Sequence, residues 1–141
     1  MTDSQTQLSD WCQSYVSAFS AYDVSAISNH WAFPALILRQ GSSLVLKNRE
    51  QFDRNTNALI GFYRARGVDH AKRRLLEAFQ MDAETASMRV ADQMLNAEGD
   101  TIVAWQVAYV LQKRDGVWRA ICASADGESV AWEAAGTPLQ F

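Results

Sequence analysis

Asp92 stands where a carboxylate is costly. Read alternately, Ala86, Met88, Val90, Asp92 and Met94 form one face of a strand, and Ser87, Arg89, Ala91 and Gln93 form the other. A carboxyl group in an apolar row destabilises the fold unless it is paired or protonated. Surroundings of that kind suit a carboxyl group to acid–base chemistry near neutral pH. The alternative is a β-bulge that changes the phase of the strand and turns Asp92 to water. Three further groups could work with Asp92. Tyr15, on the apolar stripe of a first helix, offers a hydrogen-bond donor, as does Tyr109. His30, near the end of a second helix, could pair with Asp92 to move a proton.

Aromatic residues supply candidate walls for a binding pocket. Val103, Trp105, Val107, Tyr109 and Leu111 alternate along one strand and read as its inner face. Trp31, Phe33, Trp105 and Tyr109 are the expected pocket lining, with Phe62 from the third helix. The same rows also suit a packed core or a subunit interface, and the sequence leaves that choice open.

Several chemistries lack their parts. There is no Gly-rich phosphate loop, dinucleotide fingerprint, Gly-x-Ser-x-Gly elbow or His-Glu zinc motif. His30 and His70 are isolated, and Cys12 and Cys122 lie far apart, so neither a metal site nor any cofactor is expected. The net charge of −3 gives no footprint for nucleic acid. Arg64, Arg66, Lys72, Arg73 and Arg74 read as a solvated helix end and strand start. With no basic leader and no long apolar run, a cytoplasmic protein without membrane contact is expected.

The elements that position these residues follow from periodicity and turn chemistry. Ser4 with Gln7 suggests a capping box opening a helix to about Ala21, whose stripe is Leu8, Trp11, Cys12, Tyr15, Val16 and Phe19. Asp23 caps a second helix through Val24, Ile27 and Trp31, with Pro34 marking its end. Phe33–Leu38 and Ser43–Leu46 flank Gly41 as a hairpin, and Asn48 with Gln51 starts a third helix that stops at Gly67. Four long strands follow, Lys72–Gln80, Glu84–Asn96, Thr101–Lys113 and Val117–Ala125, joined by tight turns. The tail over 127–141 reads as irregular, covering a pocket mouth or a subunit edge.

The order helix, helix, hairpin, helix, four-strand meander over about 5–126 resembles the nuclear transport factor 2-like superfamily. Tyr15-Val16 with Asp23, Asn48-Arg49-Glu50-Gln51-Phe52, and Asp115-Gly116-Val117-Trp118-Arg119 carry the resemblance. It implies one α+β domain over 1–141, a cone in which three helices pack on the concave face of a strongly curved, mostly antiparallel sheet. The superfamily includes SnoaL-like polyketide cyclases, scytalone dehydratase and ketosteroid isomerase, so fold alone does not select an activity. Of the isomerase's functional positions, Tyr15 matches its oxyanion-binding tyrosine. Its base falls at about Arg39, and its protonated aspartate near Ala108 or Tyr109, so isomerase activity on steroids is not expected.

Three functions remain open. One is a pocket for a small, largely apolar or aromatic molecule, with cofactor-free isomerisation, cyclisation or dehydration by Asp92. The others are a binding module without turnover and a dimerising scaffold with a filled cone. A homodimer is expected in each case, because the outer face of such a sheet is broad.

Overall fold

The computed structural model describes residues 3–139. Helix α1 runs Asp3–Ser20, α2 Val24–Ser28 and α3 Arg49–Ala65. Strands β1 Trp31–Arg39 and β2 Ser42–Leu46 lie between α2 and α3. The meander is β3 His70–Asp82, β4 Thr85–Leu95, β5 Thr101–Arg114 and β6 Val117–Ser124, and α4 Asp126–Ala134 closes the chain. The six strands form one curled, unclosed sheet in the order β2-β1-β6-β5-β4-β3, parallel only between β1 and β6.

The helices form for the reasons their sequences give. On α1, Leu8, Trp11, Cys12 and Tyr15 are buried together against the inner face of the sheet. Ser4 lies inside α1 rather than capping it, and Gln7 instead accepts a hydrogen bond from Trp118 Nε1 at 3.0 Å. Asn48 caps α3 by accepting from Gln51 N at 2.9 Å, and Gln51 Oε1 accepts from Lys47 N at 2.9 Å. Gly67 (φ +77°) ends it in the left-handed region that suits glycine.

Two local expectations are corrected. The second helix stops at Ser28, and Trp31 opens β1 opposite Ala120 instead of riding the helix. Pro34 therefore sits inside a strand. Lacking an N–H, it donates nothing to the ladder, and the β1–β6 register jumps between Trp31 and Leu36. The tail is not irregular at its start, since Asp126–Ala134 is helical. Its opening carries no capping signal (Ala125 has no side-chain bond to give, and Gly127 sits in the first turn), so packing makes this helix rather than local preference.

That packing is tight. A Cβ on Gly127 would stand 2.5 Å from the carbonyl oxygen of Gln106 and 3.5 Å from Trp105 Cβ. Gly127→Ala must move α4 off β5, and we expect urea denaturation to show a loss of about 1–3 kcal/mol. A variant as stable as the parent would mean that α4 docks loosely.

Candidate functional site

The inner face holds one cavity of about 110 Å³. Its walls include Tyr15, Phe19, Trp31, Leu59, Trp105 and Tyr109. An apolar cavity of ~150 Å³ can take benzene, so this smaller space has room for one ring at most.

A buried ion pair forms one end. β4 pairs with β5 without a shift from Thr85 to Met94, which keeps Asp92 in the inner row with its side chain 4% exposed. Arg73 lies opposite it on β3, also buried with its side chain 6% exposed. Arg73 Nε donates to Asp92 Oδ1 at 2.7 Å, and Nη2 donates to Oδ2 at 2.8 Å. Nη2 also donates to the Tyr109 hydroxyl at 2.8 Å. The guanidinium lies 5.2 Å from the ring centre of Tyr15 and 5.1 Å from that of Tyr109, within cation–π range. Arg73 Nη1 is buried and has no hydrogen-bond partner among the described residues.

The tyrosines add donors beside it. Tyr15 Oη accepts from Trp31 Nε1 at 2.8 Å. No described residue accepts a proton from Tyr15 or Tyr109. Burial pushes the Tyr15 hydroxyl up to about 12 and the Tyr109 hydroxyl well above its ordinary value, so both stay protonated at neutral pH.

Glu128 on α4 forms the other polar feature. Its Oε2 accepts from the Tyr63 hydroxyl, and from Trp132 Nε1 at 3.2 Å. Its Oε1 takes no hydrogen bond from any described residue. Burial raises the carboxyl from 4.5 to about 7, against the two hydrogen bonds and nearby Arg39, while the charge of Asp92 adds to the rise.

The remaining candidates lie elsewhere. His30 does not meet Asp92. Its Nδ1 is 2.7 Å from the Ala26 carbonyl oxygen and its Nε2 2.8 Å from Ser14 Oγ, in a surface groove beside Trp11 and Trp118. Burial lowers its pKa below the ordinary 6.5, so the ring is neutral at pH 7. Phe33 packs on Phe52 at 5.4 Å, and Phe62 packs on Trp132 at 5.0 Å beneath the Arg66 guanidinium. Neither lines the cavity, whereas Tyr15, Trp31, Trp105 and Tyr109 do.

Arg73, Tyr63 and Glu128 complete the site without having been singled out in the sequence. The sequence groups Arg73 with a solvated basic stretch, but burial on β3 separates it from its neighbours Lys72 and Arg74, which are exposed. The apolar row around Asp92 was a signal that a buried cation should exist, though not which one. Among the described residues, no three His, Cys, Asp or Glu side chains gather as a metal site. No described helix is long and apolar enough to cross a membrane.

The sequence profile of a family described as NTF2-like protein (DUF6841) matches residues 4–128. The chain belongs to this NTF2-like family. Solved structures agree on the fold. A cystatin-like-fold domain of unknown function from Nostoc punctiforme superposes with a TM-score of 0.71 at 13% identity, covering 88% of this chain and 77% of that one. An NTF-2 like protein of unknown function from Shewanella oneidensis gives 0.69 at 12% identity, covering 85% and 96%. A ketosteroid isomerase-like protein from Erwinia carotovora atroseptica gives 0.67 at 19% identity, covering 88% and 97%. At these identities the likeness of this NTF2-like chain to them concerns fold alone. Among curated proteins there is no sequence match.

Proposed function

We propose that the chain binds a small, single-ring organic molecule through an acceptor oxygen on the molecule. One observation carries this: Arg73 Nη1 is a buried cationic donor with no partner among the described residues, on a side chain that lines the cavity. A donor in that state is costly unless something accepts from it. Tyr15 and Tyr109 line the same cavity, and their hydroxyl protons add two donors to that of Arg73 for a ligand oxygen. Asp92 then acts as a positioning residue: its two oxygens hold the guanidinium in one orientation. Trp31 and Trp105 serve as walls, and His30 has no part in the binding.

The same arrangement favours a ligand over a filled scaffold, since a purely structural core has no use for an unsatisfied arginine. Acetophenone and α-methylstyrene have nearly the same shape and differ in whether oxygen or methylene faces the donors. In isothermal titration we expect acetophenone to bind at least tenfold more tightly, because a hydrogen bond to a charged group contributes about 1.5–3 kcal/mol. Equal affinities, or no binding of either, would discard the Arg73 anchor.

The expected homodimer has a candidate surface. Leu36, Leu38 and Val45 are exposed together where β1 pairs β2. Analytical ultracentrifugation should give twice the mass of the chain, and a monomer at 100 μM would reject the dimer.

A further inference from the structure

The cavity presents its polar groups from two directions. Arg73, Asp92 and Trp105 stand opposite one another on β3, β4 and β5, so they form one row across the inner face. The row continues to α4, where Gly127 abuts Trp105 and Gln106, and the next residue is Glu128. Two strand spacings of ~4.8 Å separate the backbone at Arg73 from that at Trp105, beside which α4 lies. The Arg73 and Glu128 side chains both line the same cavity, together with the aromatic rings of Tyr15, Trp105 and Tyr109.

Resting on the Arg73 anchor proposed above, we infer that the ligand class is an aryl carbonyl compound bearing a neutral hydroxyl group, and that this hydroxyl donates to Glu128 Oε1. The geometry of Glu128 supports a fixed acceptor. Its Oε2 is tied to Tyr63 and Trp132, and its Oε1 has no partner in a wall of the same cavity. An acceptor held by its other oxygen selects for a donor at a set place, and it selects against a ligand that brings a methyl group there. Charge narrows the class further. Arg73 and Asp92 offset one another, so an anionic ligand would confront Glu128 with no net positive charge to balance it. A neutral ligand with an acceptor at one end and a donor at the other avoids that conflict. The cavity volume of about 110 Å³ limits it to one ring with short substituents.

The test uses the intact chain and two matched series, 4-(hydroxymethyl)acetophenone against 4-ethylacetophenone, and the corresponding 3-substituted pair. The hydroxymethyl and ethyl groups have nearly the same size, and only the first donates. At pH 8, titration calorimetry should show the hydroxymethyl compound binding at least tenfold more tightly in one series, with that advantage falling below threefold in Glu128→Gln. Should the variant fail to fold, the wild-type comparison decides alone. Equal affinity within both series overturns the hydroxyl class, even if acetophenone still exceeds α-methylstyrene and the anchor stands. An advantage that survives intact in a folded Glu128→Gln also overturns it. Binding that ignores the carbonyl overturns the anchor and this inference together.

Discussion

Arg73→Met is expected to cost the fold about 3–5 kcal/mol, much of the 5–15 kcal/mol that a domain has to lose. The reason lies in what remains. Asp92 would stay in the inner row, 4% exposed, with both oxygens stripped of their donors. The Tyr109 hydroxyl would lose its partner in the same stroke. The pair itself contributes little, because bringing both charges out of water costs about what their attraction returns. Arg73→Met with Asp92→Leu should therefore recover most of the loss, since it removes the orphan along with its partner. Urea denaturation of the single and double variants measures this directly. A single variant within 1 kcal/mol of the parent would show that water reaches Asp92 once the guanidinium is gone. The double variant has a second use: a folded protein without the guanidinium should no longer prefer acetophenone to α-methylstyrene.

Stability should also fall as pH rises from 5 to 8, and Glu128 is the cause. Its carboxyl is raised in the fold from 4.5 to about 7. A raised folded-state value means that the native state holds the proton more firmly than the unfolded chain does. The contribution is then complete below about 4.5 and is lost as pH rises through about 7. A shift of this size corresponds to at most about 3 kcal/mol, and partial exposure of the residue reduces it to roughly 2 kcal/mol. That is on the order of 5–10 °C in melting temperature. The groups facing Glu128 are Tyr63 on α3, Asp92 on β4, Arg39 on β1 and Trp132 on its own helix. Burial raises Tyr63 well above its ordinary value, so it keeps its proton across this range. Glu128→Gln should flatten the profile between pH 5 and pH 8. An unchanged slope in that variant would assign the effect to another group.

The sequence made some of this arrangement legible. Alternation along β4 left Asp92 either inward or turned to water by a bulge, and the structure keeps the inward phase without a break against β5. The stripe of α1 placed Tyr15 under the sheet, and Gly67 and Asn48 bounded α3 as their chemistry requires. Arg73 was hidden for a geometric reason. The turn pairs Asp82 with Thr85, and an even ladder from there would set Leu75 opposite Asp92. Two register shifts, at Gln80/Asp82 and Leu75/Glu77, slide β3 until Arg73 takes that place. Each shift alone would turn the strand over, and together they restore its face. Residue spacing does not announce such a pair of bulges. Helix α4 was hidden for another reason, since Trp132 is fully buried and Glu128 is held by Tyr63, both being contacts across the fold. Phe33 and Phe62 were aromatic and well placed in the chain, yet each faces a neighbour instead of the cavity.

The parallel seam between β1 and β6 sets an order of assembly. Antiparallel β3, β4, β5 and β6 contact their sequence neighbours, whereas Trp31 meets Ala120 and Leu38 meets Ser124 across most of the chain. Contacts between distant segments form late, because a long loop must close before they return anything. The meander is therefore expected to take shape first, as a half-formed bowl, and the early hairpin and α4 to join it at the end. Every group proposed to touch ligand except Arg73, Trp105 and Tyr109 belongs to a late arrival or to the helices above the bowl. A ligand that spans the two parts would act as a clasp, slowing the release of β1 and α4 more than it alters the meander, and amide exchange would record that difference strand by strand.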